Sequence, residues 1–354
     1  MEIVVFRLIS VFCVLLVGCA KPQYNTFNPQ NPFLNNIPIS QQNPPQSDIY
    51  YPSDPVIVNN NSQPSRLSEQ KCEEYWKRSR TVIAVGSLSL YPVVQNISDD
   101  SCDSSQGLIV GGENAKKDEF PHMAALGYMN IDNVFIFICG GSLISDEFVL
   151  TAAHCRYGGG GKPTLVRLGV WNLKIKDYDS HEFEARIKSF IVHENYNPNL
   201  SENDIAVIKL SKKVRLSKFI RPACLMTSTE RIQDSKIIAT GWGLTNPYYG
   251  DTSEILQKVE LSLISNDECS AHYEGHNIFN TQLCAGDLKG GKDTCRGDSG
   301  GPLQIVSQKN KCIYLIIGVT SYGAAYCGGP NSPGVYTRVS EYVDWIEQKV
   351  WGSS

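Results

Sequence analysis

Gly297-Asp298-Ser299-Gly300-Gly301-Pro302 is the stretch on which the reading of this chain turns. A serine set among glycines and closed by proline is a tight turn that exposes its hydroxyl. Alone, such a turn is a common structural device. Two other segments change its weight. Thr151-Ala152-Ala153-His154-Cys155 places a histidine beside a cysteine, and Asn203-Asp204-Ile205-Ala206-Val207 places an aspartate at the head of an apolar run. Each has a plain reading of its own, a structural histidine and a turn aspartate. Fifty residues separate His154 from Asp204, and 95 separate Asp204 from Ser299. Together, in that order, they supply the parts of a nucleophilic site. A serine hydroxyl is a poor nucleophile at neutral pH, and a histidine, titrating near neutrality, can take its proton. A carboxylate can fix the imidazole tautomer and stabilise its cation.

The surrounding text is that of short strands. Apolar, β-branched runs recur between Gly, Asn and Asp turns from Ile109 onward: Val149-Leu150, Ile205 to Ile208, Ile237-Ile238-Ala239 and Ile313 to Val319. Helical spacing is scarce until the end, where Ser340 is placed to cap a helix over Glu341 to Val350, with Val343, Ile346 and Val350 on one face. Many short strands and one terminal helix predict an all-β barrel or sandwich.

The region before Ile109 differs in texture. Ile3 to Val17 is nearly all apolar and ends at Gly18-Cys19-Ala20, which reads as a signal peptide, residues 1–20, cleaved after Ala20. A membrane anchor or a lipidated Cys19 are the competing readings, and the run is short of a ~20-residue span. Residues 21–66 are dominated by Asn, Gln, Pro and Ser and predict a disordered tail. Residues 67–108 carry Cys72, Cys102 and the apolar Thr81 to Val85, and read as a tethered segment with little fold of its own. The chain has 354 residues, a net charge of −4 and 12 cysteines. That charge offers no grip on nucleic acid or an anionic membrane. Without Cys13 and Cys19 the cysteine number is even, and export makes disulfides the natural reading. The spacings do not form the paired knuckles of a zinc site.

Residues 109 to about 350 resemble the chymotrypsin/trypsin family from end to end. The resemblance implies two six-stranded antiparallel β-barrels with a C-terminal helix and a catalytic triad of His154, Asp204 and Ser299 in the cleft between them. It implies an oxyanion hole formed by the N–H groups of Gly297 and Ser299. It places Asp293 at the base of the primary specificity pocket, with Ser321, Gly323 and Gly334 around it, a pocket suited to Arg or Lys. Tyr322 stands where the family usually has Trp. Arg296 lies at the pocket rim, where it favours an acidic residue just after the cut bond. The five histidines 122, 181, 193, 272 and 276 lie outside such a motif and read as structural or surface residues.

Ile109-Val110-Gly111-Gly112 resembles the family's mature N-terminus, so cleavage after Leu108 would free an α-amine to pair with Asp298. An enzyme that prefers basic residues would not cut there, which implies an upstream activating protease. Leu before Ile-Val-Gly-Gly, with Glu119 to Ala125 and Cys139 to Ser145, is similar to arthropod cascade proteases of the Snake and Persephone type. With only Cys72 and Cys102 in residues 21–108, a standard six-cysteine clip domain cannot form. By resemblance, the disulfides are Cys139–Cys155, Cys269–Cys284, Cys295–Cys327 and Cys102–Cys224. Parity then leaves Cys72–Cys312, the alternatives being an intermolecular bond or two free thiols. Asn60, Asn96 and Asn199 begin glycosylation sequons. Glu182 matches one ligand of the trypsin calcium loop, Val170 occupies the place of another, and Asp177 and Asp179 could substitute. A solvated acidic loop is the reading adopted there, with no metal and no cofactor. The partners implied are protein substrates, the activating protease and, by resemblance, serpin-type inhibitors, in an extracellular setting. The other class of reading is a non-catalytic homologue acting as a binding module. Such relatives usually lose a triad residue, and here all three stand.

Overall fold

Alternating apolar residues close the chain into two rings of strands. The computed structural model describes residues 65–86, 94–99, 112–157, 161–174, 181–228, 232, 235–246, 252–273, 277–324 and 326–352, with backbone alone for 81–86 and 94–99. The leader, most of the Asn/Gln/Pro-rich tail, Asn60, Cys102, Leu108, Ile109, Asp177, Asp179 and His276 lie outside the described residues.

Before the barrels come helix α1 (Leu67–Ser79) and an antiparallel pair, β1 (Thr81–Gly86) and β2 (Val94–Asp99). This corrects the expectation of little fold in that segment. The helix starts where Glu69 accepts a hydrogen bond from the Arg66 N–H and ends with Lys77 and Arg78, which suit the dipole. It stops where the β-branched run Thr81-Val82-Ile83 begins.

The first barrel is built from β4 (Met123–Met129), β5 (Phe135–Leu143), β6 (Phe148–Thr151), β7 (Leu165–Leu168), β8 (Phe183–Val192) and β9 (Ala206–Leu210). They close in the order β4-β5-β6-β9-β8-β7. The second ring comprises β11 (Ile237–Gly241), β12 (Gln257–Ile264), β13 (Gln282–Gly286), β14 (Pro302–Val306), β15 (Tyr314–Tyr322) and β16 (Gly334–Arg338), and the β15–β16 pairing closes it. Two short strands lie outside the rings: β3 (Glu113–Asn114) pairs with β12, and β10 (Cys224–Leu225) runs parallel to β15. The first barrel is filled by Leu126, Val149, Val166, Val207 and Ile208, all fully buried. Burial of each stabilises by roughly 1.5–3 kcal/mol.

Helix α2 (Asn266–His272) is capped by the Ser265 hydroxyl, and α3 (Val343–Val350) closes the chain. The terminal helix begins later than expected. Val339–Tyr342 form a 3₁₀ turn, and Tyr342, not Ser340, stands at the α3 cap.

The disulfides require a second correction. Cys72 of α1 joins Cys224 of β10, so neither Cys102–Cys224 nor Cys72–Cys312 forms. Cys312 is itself disulfide-bonded. The reason is local: α1 lies along β10 and brings Cys72 within 5.3 Å of Cys224, Cα to Cα. The bonds Cys139–Cys155, Cys269–Cys284 and Cys295–Cys327 lie within the barrels.

Candidate active site

The three motifs sit at strand ends facing the junction of the barrels. His154 opens the 3₁₀ turn after β6, Asp204 lies two residues before β9, and Ser299 lies three before β14. Asp204 is 1% exposed. Its Oδ2 lies 2.7 Å from His154 Nδ1, and its Oδ1 accepts from the His154 backbone N–H at 3.0 Å. An ionised carboxylate only accepts, so Nδ1 carries a proton, and in the neutral imidazole that leaves Nε2 as the acceptor. The Ser321 hydroxyl donates to Oδ2 at 2.5 Å, and the Thr337 hydroxyl donates to the Asp204 carbonyl at 2.8 Å. Burial opposes charge on Asp204, yet the hydrogen bonds from His154 and Ser321 hold its carboxyl below the usual range.

Ser299 stands in a turn that only glycine allows. Gly300 has φ +76°, and a Cβ there would strike Thr151 Oγ1 and lie 3.1 Å from the Ala152 nitrogen. The serine turn of the second barrel therefore packs directly on the end of β6 that carries His154 in the first. The Gly140 N–H donates to the Ser299 carbonyl at 2.8 Å across the same seam. Cys139–Cys155 braces that seam from the histidine side. Gly297, at φ +100°, has its backbone against Gly243: a Cβ would be 3.0 Å from the Gly243 Cα.

Asp298 turns the other way, inward. Its carboxylate accepts from the N–H groups of Gly243 and Cys295, each at 2.8 Å. Burial pushes this carboxyl up to about 6. Asp293 accepts from Thr294 N–H at 2.8 Å and Gly328 N–H at 3.1 Å, and burial pushes it up to about 7. A cavity of about 280 Å³ reaches both carboxylates and is lined by Gly112, Gly241 and Gly328 among others. Gly334 faces Asp293, with room for a Cβ only 3.1 Å from Oδ1, and Gly323 faces Gly334. Ser321 is brought to Asp204 through its hydroxyl. Tyr322 meets Tyr273 edge to face at 5.9 Å, and Cys295–Cys327 ties the Asp293 loop to the Gly328 loop. Arg296 is exposed beside them, its carbonyl accepting from Leu244 N–H.

Other expected positions separate from this cluster. His122 is buried between the Phe120 and Tyr314 rings, where burial lowers its pKa to about 3. His193 packs on Tyr342 and Trp345, and His181 stacks on Phe219. Asn199 is exposed. The Val170 side chain is buried and offers no oxygen to a cation near Glu182. Sequence reasoning missed Thr337 and the pair Gly241 and Gly243, whose missing side chains admit Asp298. The local signal was Gly241-Trp242-Gly243, a wide aromatic between two glycines.

A family model described as Trypsin matches residues 109–346. The chain belongs to the trypsin family. Among curated relatives of this trypsin-family chain, serine protease snk of Drosophila melanogaster is 38% identical over 292 residues, 80% of this chain and 65% of that protein. The chain thus spans just under two thirds of that relative. CLIP domain-containing serine protease B4 of Anopheles gambiae is 37% identical over 87% of each chain. Melanization protease 1 of Drosophila melanogaster is 37% identical over 74% of this chain and 69% of its own. The chain is thus a trypsin-like serine protease by family.

Proposed function

We propose that the chain is the precursor of a secreted serine endopeptidase that cuts after Arg or Lys in protein substrates within an extracellular cascade. The observation that carries this reading is the orientation of His154. Its Nδ1 is committed to a fully buried Asp204 that Ser321 also holds, while Nε2 points away from the carboxylate, 4.0 Å from Cys155 Sγ, and the Ser299 turn packs on Thr151, three residues before His154.

In the reaction, Nε2 of His154 takes the Ser299 hydroxyl proton as Oγ bonds to the scissile carbonyl carbon. The oxyanion is met by the N–H groups of Gly297 and Ser299. The C–N bond breaks as His154 returns the proton to the leaving amine. Water, deprotonated by His154, then releases the acyl group and restores Ser299. Asp293, a half-buried carboxylate with N–H partners but a raised pKa, gains most from a cationic side chain. Gly323 and Gly334 leave the approach open.

Cleavage after Leu108 would free the Ile109 amine three residues ahead of Gly112, which already lines the cavity ending at Asp298. An ammonium there would meet a carboxylate held only by N–H groups among the described residues. Since Leu108 is not basic, a different protease makes that cut. The names of the relatives, snk, CLIP-domain proteases and a melanization protease, favour a cascade over digestion. Serpin-type inhibitors are proposed as partners on the same ground, and Asn199 as a glycan acceptor on its exposure.

The test is covalent labelling. A fluorophosphonate should modify Ser299 in the cleaved protein, and Ser299→Ala should abolish labelling. A cleaved wild-type protein that stays unlabelled would move the chain to the class of non-catalytic binding modules.

A further inference from the structure

The terminal helix α3 shows three faces to three different parts of the protein. Val343 and Ile346 point into the core and are at most 1% exposed. Asp344, Glu347 and Trp351 lie three and four residues apart, which puts them on a second stripe. Trp345 and Lys349, four apart, make a third.

The second stripe receives α1. Arg66 pairs with Asp344 and Glu347, and the Ser68 N–H donates to Glu347 at 2.9 Å. The Trp351 indole N–H donates to the hydroxyl of Tyr75, which is 5% exposed. Farther along, Arg78 meets the nearly buried Asp146 at 3.0 Å. Those contacts are independent of the Cys72–Cys224 bond.

The third stripe holds the segment before Asp204. Glu194 accepts from Trp345 at 2.8 Å and pairs with Lys349 at 2.6 Å, an arrangement that lowers its carboxyl to about 2. Tyr342, at the α3 cap, donates to Asn203 Oδ1 at 2.9 Å, and Asn203 Nδ2 donates to the Asn195 carbonyl at 2.9 Å. These bonds fix Asn203, which holds φ +54° immediately ahead of Asp204.

We propose that α1 remains a working part of the protease after cleavage and, through α3, acts as a positioning element for loop 193–203 and hence for Asp204. The N-terminal helix is then a permanent strut for the group that orients His154. This rests on the triad reading above, and Glu347, Tyr75 and Asn203 are positioning residues that touch no substrate.

The experiment uses the full chain, cleaved after Leu108, as wild type, Glu347→Ala, Glu347→Gln and Tyr75→Phe. Hydrogen exchange is followed in α1, loop 193–203 and β15, and kcat and KM are measured on a single-residue arginine amide. In Glu347→Ala, exchange in loop 193–203 should rise and kcat fall, each about three- to tenfold, with KM and β15 exchange unchanged. Glu347→Gln keeps an acceptor for Ser68 and should restore most of both. Faster exchange confined to α1, with loop 193–203 and kcat unmoved, would overturn the proposal, as would loosening that spreads to β15. If Glu347→Ala does not fold, Tyr75→Phe is read by the same criteria. A wild type that cleaves nothing refutes the triad reading instead, and loop exchange alone then decides whether α1 braces the segment.

Discussion

The Asp298 carboxylate occupies the space in which a side chain at residue 241 would stand: a Cβ built on Gly241 collides with Asp298 Oδ1. Gly243 is nearly as tight, with the carboxylate 2.6 Å from its Cβ position. The carboxylate is therefore seated by β11 of the second barrel as well as by its own turn. Gly241→Ala should destabilise the protein by about 1–3 kcal/mol through overpacking. It should also impair activation more than it impairs folding. Denaturant titration and rate after cleavage check both.

Asp298 also sets a pH dependence. Its pKa rises from 3.8 unfolded to about 6 folded, so the folded precursor binds more protons between those values. Its contribution to stability is most favourable below pH 3.8 and is lost as pH rises through about 6. Asp298→Asn should therefore match wild-type precursor near pH 3.5 and exceed it near pH 7, by at most about 3 kcal/mol. The gain is reduced because the Asn amide nitrogen faces one backbone N–H. The variant should not become active on cleavage. Equal stability of the two proteins at pH 7 would contradict a desolvated carboxylate that has no cationic partner among the described residues.

Much of this site could be read from the chain, and for physical reasons. His154, Asp204 and Ser299 each lie in a short motif whose chemistry is local, and the strand text around them announces barrels. What could not be read depends on docking between distant elements. Thr337 reaches Asp204 by packing of β16, and nothing in its own neighbourhood marks it. Cys72 meets Cys224 because α1 forms and lies along β10, whereas composition and parity carry no information about which thiols approach. The helix itself escaped notice because its apolar residues are few, and it is held from outside, by β10, the Cys72–Cys224 bond and α3. The Ser340 cap failed because a 3₁₀ turn with buried Val339 and Tyr342 carries β16 into α3.

Asp293 should decide the bond that is cut. Asp293→Ser should lower kcat/KM for arginine peptides by roughly 10²–10⁴-fold, the equivalent of breaking a buried pair worth about 3–5 kcal/mol. Rates on uncharged residues should change far less. Steady-state kinetics on matched Arg, Lys and Phe peptides measure the ratio, and an unchanged ratio would remove Asp293 from the pocket floor.

Arg296 is exposed and precedes Gly297 in the chain, and on the proposed reading its charge faces the residue after the cut bond. Arg296→Ala should weaken selection for Asp or Glu just after the cut, by about two- to fivefold for an exposed pair. Profiling on a peptide library with a fixed Arg before the cut reads this directly. An unaltered profile would sink the assignment.

The most direct measurement of the account is hydrolysis by purified precursor before and after cleavage at Leu108–Ile109, on peptides ending in Arg, Lys, Phe or Leu. The account predicts negligible rates before the cut, hydrolysis of Arg and Lys peptides after it, and a loss of roughly 10⁶-fold in Ser299→Ala. Equal activity of the uncut and cut protein would contradict the switch. Silence on every peptide, with Ile109 verified as the new N-terminus, would contradict the catalytic reading itself.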